Sequence, residues 1–357
     1  NGYSEANHFK TSGTPPVIAT GDFSTTLYTG TGADQTIVTG VDNTGKYLLW
    51  IKDKDEAGAQ QHQLLDSSAP PVDGGSNVDC PTLISNSAGP RSAYSNTVIE
   101  YNSSGFKLGI GETTNKSSNS FVAWNWAAGE GFFDIVEYNG GDGTPQTISH
   151  NLGTVPGMMI VKCIDQEITW AVYHKDVGNA SRLILNDTDA SAAGNWWDNK
   201  TPTATEFFVG NTSNTNQQSK NFIAYLFADN PDNGIKCGSY VGTGTAQVID
   251  TGFKIGWLLL KSVDDTGDWF IADSKLGWDA SGSDVLEANL TNPVNPGFAG
   301  ITSPAILNQT DGFGVQLTGK EYNKDGSNYV YVAIAADEGP QPKVDGWNAE
   351  TSTANVD

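Results

Sequence analysis

The sequence predicts an all-β protein built as three tandem antiparallel β-sandwich modules, each jelly-roll-like. Three observations carry this expectation: a set of short motifs recurs three times in one order, the composition suits short strands and tight turns, and no long stretch has helical apolar spacing. Of 357 residues, 41 are Gly, 10% are aromatic and only 2 are Met. Aromatic and β-branched side chains suit a pleated, half-buried surface, while Gly, Asn and Asp supply the turns between strands. The best helical candidate, Glu56 to Asp66 (EAGAQQHQLLD), is short, and its counterparts elsewhere in the chain read as strands.

The repeat sets the order of the elements. Each copy opens with a strand ending in an aromatic-x-Gly turn: Tyr28-Thr29-Gly30, Tyr138-Asn139-Gly140 and Tyr240-Val241-Gly242. A short strand follows, starting at Gln35, Gln146 and Gln247, and then an apolar strand that ends in Lys52, Lys162 or Lys261. The Tyr-to-Lys separations are 24, 24 and 21 residues. Next comes a segment running from Trp or His to an acid or His: His62 to Asp66, Trp170 to His174, Trp269 to Asp273. The copies converge on a Phe turn at Phe106, Phe207 and Phe313. They close with Phe121-Val122-Ala123-Trp124, Phe222-Ile223-Ala224-Tyr225 and Tyr331-Val332-Ala333-Ile334.

Short strands separated by Gly, Asn and Asp favour an antiparallel sandwich over a parallel sheet. The lysine-ended runs are nearly continuously apolar, as expected of central strands covered on both faces. These marks divide the chain into an N-terminal arm (1–22), modules at 23–129, 130–230 and 231–337, and a C-terminal tail (338–357). The arm, with Pro15-Pro16 and little apolar content, reads as a docking peptide that orders on binding. Gly129-Glu130-Gly131 and Asp229 to Gly234 read as short hinges, so the modules are expected to form a rod or a compact row of three beads.

Charge and cysteine content narrow the function classes. The formal net charge of −22, from 19 basic and 41 acidic residues, would repel a phosphate backbone over most of the surface, which argues against nucleic acid as a partner. Cys80, Cys163 and Cys237 are odd in number and scattered, which excludes a fully paired disulfide framework and offers no zinc spacing. Cys163, inside MMIVKC, reads as a buried free thiol. No apolar run is long enough for a transmembrane helix.

The order Tyr-x-Gly, lysine-ended strand, Trp-Ala-Val-Tyr-His, Phe turn and closing aromatic-Ala strand runs from about Phe23 to Ala336 and is clearest in the second copy. It resembles a domain of unknown function found repeatedly in structural proteins of marine tailed phages, including those that infect cyanobacteria. The first and third copies depart from it by lacking the Pro before the apolar strand, and the third by an insert around Ser281 to Pro304. The resemblance implies a virion component at the particle surface or outside the cell: a tail fibre, an appendage or a decoration, with other virion proteins as partners. Because phage fibres are usually trimeric, it also implies a homo-oligomer, with a trimer as the first expectation, although no heptad segment specifies one. It implies no activity.

The residues themselves offer no enzyme signature. G-x-S-x-G, Walker and H-E-x-x-H motifs are absent, and Gly242-Thr243-Gly244 precedes a strand rather than a nucleotide-binding helix. Four histidines, His8, His62, His150 and His174, are available as bases. His62 and His174 look equivalent while the third copy has Asp273, so a shared catalytic role would fail in one copy. The three repeat lysines read as strand-end residues pairing with nearby acids. No cofactor is expected. An acidic surface could collect Ca²⁺, and the nearest cluster is Asp264, Asp265 and Asp268 in DDTGDW, but no loop matches a defined calcium motif and a solvated turn is the simpler reading.

Carbohydrate binding is the remaining alternative, since exposed aromatic faces stack on sugar rings. Of the 10 Trp, those at repeat positions (Trp50, Trp124, Trp170, Trp257 and Trp269) are assigned to the core. Trp196 and Trp197, in AAGNWWDNK, and Trp278, in KLGWDAS, fall outside the repeat among Gly, Asn and Asp, and are the candidate ligand-binding residues. Host-surface attachment by a non-enzymatic virion protein is therefore the expected function, set against a ligand-free capsid decoration or fibre scaffold and, more remotely, a glycan-degrading enzyme.

Overall fold

The computed structural model describes residues 22–55, 60–74, 77–280, 284–296, 306–316 and 319–336. Most of the arm at 1–22, all of the tail at 338–357, His8 and much of the insert from Ser281 to Pro304 lie outside the described residues. The protein is all-β, with antiparallel pairing throughout its named strands and only short helical turns. Glu56 to Asp66 is no helix where it is described: Gln63–Asp66 is a buried strand. Tertiary burial overrides the local helical spacing there, because Leu64 and Leu65 both enter apolar cores, on opposite faces of the strand.

Three large sheets share one strand order. In the first, Phe23–Thr29, Ser120–Ala127, Tyr47–Asp53, Gln63–Asp66 and Val78–Ile84 are successive neighbours. In the second they are Phe133–Asn139, Asn221–Ala228, Pro156–Cys163, Ala171–His174 and Ser181–Ile184, and in the third Ile235–Val241, Asn328–Ala335, Ile255–Ser262, Phe270–Asp273 and Asp284–Glu287. Smaller sheets accompany them, formed around Gln35–Val38 with Gly105–Leu108, Gln146–Ser149 with Glu206–Val209, and Gln247–Asp250 with Gly312–Val315.

Alternation along the lysine-ended strands shows why they are apolar throughout. In the first sheet Leu49, Ile51, Phe121 and Ala123 pack with Ile37, Phe106 and Leu108 of the small sheet. Leu48, Trp50, Val122, Trp124 and Trp126 point to the opposite face and join a cluster that runs through all three large sheets. Successive strand residues face opposite sides, so cover on both sides demands an unbroken apolar run. Trp126 sits where the sheets meet, with ring centroids 5.4 Å from Trp257 of the third sheet and 6.2 Å from Phe227 of the second.

Contacts therefore link the first sheet to the second, the second to the third and the third back to the first, which corrects the expectation of a rod or row. Thr25 and Trp124 of the first sheet both hydrogen-bond Asp273 of the third. A row of beads has no contact between its two ends.

The aromatic-x-Gly turn is built the same way three times. Tyr28, Tyr138 and Tyr240 stack on Phe121, Phe222 and Tyr329 at 5.1, 5.3 and 5.0 Å. Their hydroxyls donate to the carbonyls of Thr114, Thr215 and Tyr322. The following glycines leave no room for a side chain: a Cβ on Gly30, Gly140 or Gly242 would lie 2.1, 1.9 or 2.2 Å from a backbone carbonyl oxygen. The pairing also corrects the third closing strand. Tyr329, not Tyr331, stands where Phe121 and Phe222 stand. A slip of two residues keeps every side chain on its own face, so the aromatic-x-Ala pattern fits either register.

Candidate functional site

The charged and polar residues at the repeat positions converge inside the molecule, where the large sheets meet. Strand pairing sets Asp66 opposite Leu48, His174 opposite Met158 and Asp273 opposite Trp257, so these three are the equivalent set. His62 corresponds to Trp170 and Trp269: the backbone N–H of each donates to the side-chain oxygen of Asn86, Asn186 or Asn289. The expected pairing of His62 with His174 is thus corrected.

Each member of the set reaches the next sheet. Tyr225 of the second sheet donates its hydroxyl to Asp66 Oδ2 at 2.7 Å, and Arg91 Nη2 meets the same oxygen at 2.9 Å. Trp124 Nε1 and Thr25 Oγ1 of the first sheet donate to Asp273 Oδ2 at 2.9 and 2.7 Å. His174 Nε2 donates to the carbonyl of Tyr331 in the third sheet, while its Nδ1 accepts from the Asp176 N–H. Burial raises the pKa of Asp273 and lowers that of His174 to about 4, so His174 is neutral with its proton on Nε2. His62 and His150 are held the same way. Nδ1 accepts from Trp50 Nε1 and from the Leu152 N–H, and Nε2 donates to the carbonyls of Glu287 and Thr203. All three described histidines have both ring nitrogens occupied by the protein, which leaves none free to act as a base.

The repeat lysines are fully buried, and the expected acid partners are replaced by carbonyls. Lys52 Nζ donates to Asp53 O at 2.5 Å, Lys162 to Cys163 O at 2.6 Å and Lys261 to Ser262 O at 2.8 Å. Lys162 also reaches Ala88 O beside the first sheet, and Lys261 reaches Thr188 O beside the second. Loss of solvation lowers each pKa to about 8. Glu287 is pushed up to about 7 by burial and by Asp268. Two surface depressions of about 340 and 320 Å³ are lined by Tyr47, Tyr101 and Pro70 in one and by Lys46, Glu137 and His150 in the other. Neither contains Glu287 or a repeat lysine.

Two of the three candidate contact tryptophans are interior. Trp197 is 0% exposed, donates Nε1 to Ser181 O and meets Tyr173 edge-on at 5.7 Å. Trp278 is 1% exposed and donates Nε1 to Ile306 O. Both fill space beneath loops, which the surrounding Gly, Asn and Asp did not reveal, and neither presents a face to a sugar. Trp196 is half-buried, with the Arg182 guanidinium 4.3 Å over its ring.

The DDTGDW aspartates are hydrogen-bonded locally. Asp264 accepts from Asn328, Asp265 from Lys324 and Ser327, and Asp268 from Asn289. Among the described residues no three His, Cys, Asp or Glu side chains converge as a metal-binding group. Cys80, Cys163 and Cys237 are buried and unbridged.

One recurring group escaped the reading of the sequence. Asn115, Asn216 and Asn323 are buried, and their Oδ1 atoms accept from the N–H of Thr31, Gly141 and Thr243 and from Gln35, Gln146 and Gln247. They pin the loop after each aromatic-x-Gly turn. The tripeptides Thr-Asn-Lys, Thr-Asn-Gln and Tyr-Asn-Lys at 114–116, 215–217 and 322–324 were the available signal.

The fold thus defines a β protein of three large sheets bonded in a cycle through buried polar side chains. The chain belongs to the family described as a domain of unknown function, DUF7483, whose model matches residues 19–340. No curated protein matches it. Among the described residues no helix is long and apolar enough to cross a membrane.

Proposed function

We propose that this protein is a non-enzymatic structural component of a virion surface, a tail fibre or appendage module that works at the host surface. One observation carries the reading: the titratable side chains at the repeat positions are spent on bonds inside the protein, all but that of Lys52 including one that reaches another sheet or the loop beside it. Lys52, Lys162, Lys261, Asp66, His174 and Asp273 are buried, and each is hydrogen-bonded within the protein. Such a design favours rigidity over turnover, because a general base or nucleophile must face its substrate. The resemblance to repeated domains of phage structural proteins points the same way, and so does a net charge of −22. The shared strand order and the thrice-repeated Tyr, Asn and Lys bonds support reading the chain as three diverged copies of one two-layer sandwich.

The ligand-free reading, a capsid decoration or fibre-building scaffold, is favoured by the burial of Trp197 and Trp278. Attachment through a host glycan then rests on Trp196. A glycan array with the wild-type protein and Trp196→Ala separates the two. Binding that the substitution weakens supports attachment, and no binding by the wild type leaves the scaffold. Release of reducing ends from host polysaccharide would overturn the non-enzymatic reading. Labelling intact particles with an antibody to this chain tests virion location directly, and failure to label them would remove it.

A further inference from the structure

The bonds between the large sheets repeat as well as those within them. The backbone N–H of Arg91 donates to Ile164 O at 2.9 Å, that of Ser191 to Val263 O at 2.8 Å and that of Val294 to Lys54 O at 3.0 Å. These join first to second, second to third and third to first. A second set is made by side chains. Trp170 Nε1 donates to Ile84 O, Trp269 Nε1 to Ile184 O and His62 Nε2 to Glu287 O, each acceptor lying at the end of the corresponding strand of the neighbouring sheet. Every third of the chain therefore carries a donor flank and an acceptor flank that match each other. A head-to-tail contact of this kind closes into a ring when its rotation is one third of a turn.

Covalent linkage differs among the three junctions although these two sets of bonds recur at each. The first and second sheets are joined through Ala127–Phe133, and the second and third through Ala228–Ile235, numbering read along the chain. The third and first are separated by the whole length of the chain. Yet Asp22 stands where Phe132 and Gly234 stand, each accepting from the end of a closing strand at Ala127, Ala228 and Ala335. The unlinked junction forms without a crossover peptide.

We infer that the chain is a fused trimer, in which each third binds its neighbours through a surface that would equally accept a second copy of that third in trans. The crossover peptides raise local concentration, while both sets of bonds between sheets form at the unlinked junction as well. This builds on the three-copy reading and adds that a single chain supplies the threefold arrangement for which three chains would otherwise be needed.

The test cuts the full chain at protease sites placed in Gly129-Glu130-Gly131 and in Pro231-Asp232-Asn233. The cut protein should keep the mass of one intact chain, close to 37.9 kDa, by light scattering. Its unfolding midpoint should become dependent on protein concentration, as that of the uncut chain is not. Unfolded and refolded together with isotope-labelled cut protein, it should yield particles of mixed fragments. Separation of the fragments on cutting overturns the inference, and so does failure of cut protein to re-form where uncut protein refolds. Either failure leaves the shared strand order, and with it the three-copy reading, standing.

Discussion

Stability should rise from pH 7 to pH 9, because three buried lysines hold protons at a cost that the unfolded chain does not bear. Lys52, Lys162 and Lys261 have pKa values lowered from 10.5 to about 8 in the folded protein. Between these values the unfolded chain binds more protons than the folded one, so raising the pH removes a penalty and favours folding. For one such lysine the gain from pH 7 to pH 9 is about 1.3 kcal/mol, and for three about 4 kcal/mol, an upper value for groups whose amines also donate to carbonyls. Above pH 9 the trend should reverse. The Cys237 thiol and the buried tyrosines, Tyr138 and Tyr240 among them, have raised folded pKa values, so stability is lost as pH climbs past their unfolded values near 9 and 10. Urea unfolding at pH 7, 8 and 9 measures the slope directly, and Lys162→Met should remove about a third of it. A wild-type curve that is flat or falling over this range, or a Lys162→Met slope equal to the wild type's, would refute the reasoning.

Other perturbations probe the bonds between sheets and the repeated turns. Tyr225→Phe removes one hydroxyl from a carboxylate that keeps Arg91, and should cost about 1.5–3 kcal/mol by urea unfolding. Arg91→Met strips Asp66 of its cation and should cost more, about 3–5 kcal/mol. Gly140→Ala sets a methyl group 1.9 Å from Gln217 O and should cost more than about 3 kcal/mol, whereas Gly143→Ala, in open space at φ +92°, should cost only about 1–2 kcal/mol in thermal unfolding. Asn216→Ala deletes bonds to Gly141, Gln146, Thr144 and Gly210, and should raise amide exchange first in residues 140–146.

Features with a fixed period or an obligatory turn were legible in the residues alone. The lysine-ended strands announced themselves because cover on both faces requires an unbroken apolar run, and Leu48 to Ile51 supply one. The aromatic-x-Gly turns were visible because a carbonyl occupies the space of a glycine Cβ. Trp197 and Trp278 were misread because Gly, Asn and Asp mark the backbone of a loop and say nothing of what its side chains fill. The third closing strand was misplaced by two residues, the one error that face alternation does not expose.

The cyclic arrangement has the same physical origin as the apolar strands. In the first sheet the small sheet covers Leu49, Ile51 and Phe121, but Leu48, Trp50 and Trp124 face the other way and need cover from elsewhere. Three separate beads in a row would leave such a face open at one end at least, exposing large aromatic side chains worth roughly 150–250 Å² each. Closing the row lets every sheet cover its neighbour and be covered in turn. An apolar run that is buried on both faces therefore states that a second layer exists, while remaining silent about whether that layer belongs to the same copy or the next. For the face that carries Leu48, Trp50 and Trp124 it is a neighbouring large sheet, and His62, Trp170 and Trp269 mark the seams: each directly precedes a strand of one sheet and donates to a carbonyl at the strand end of another.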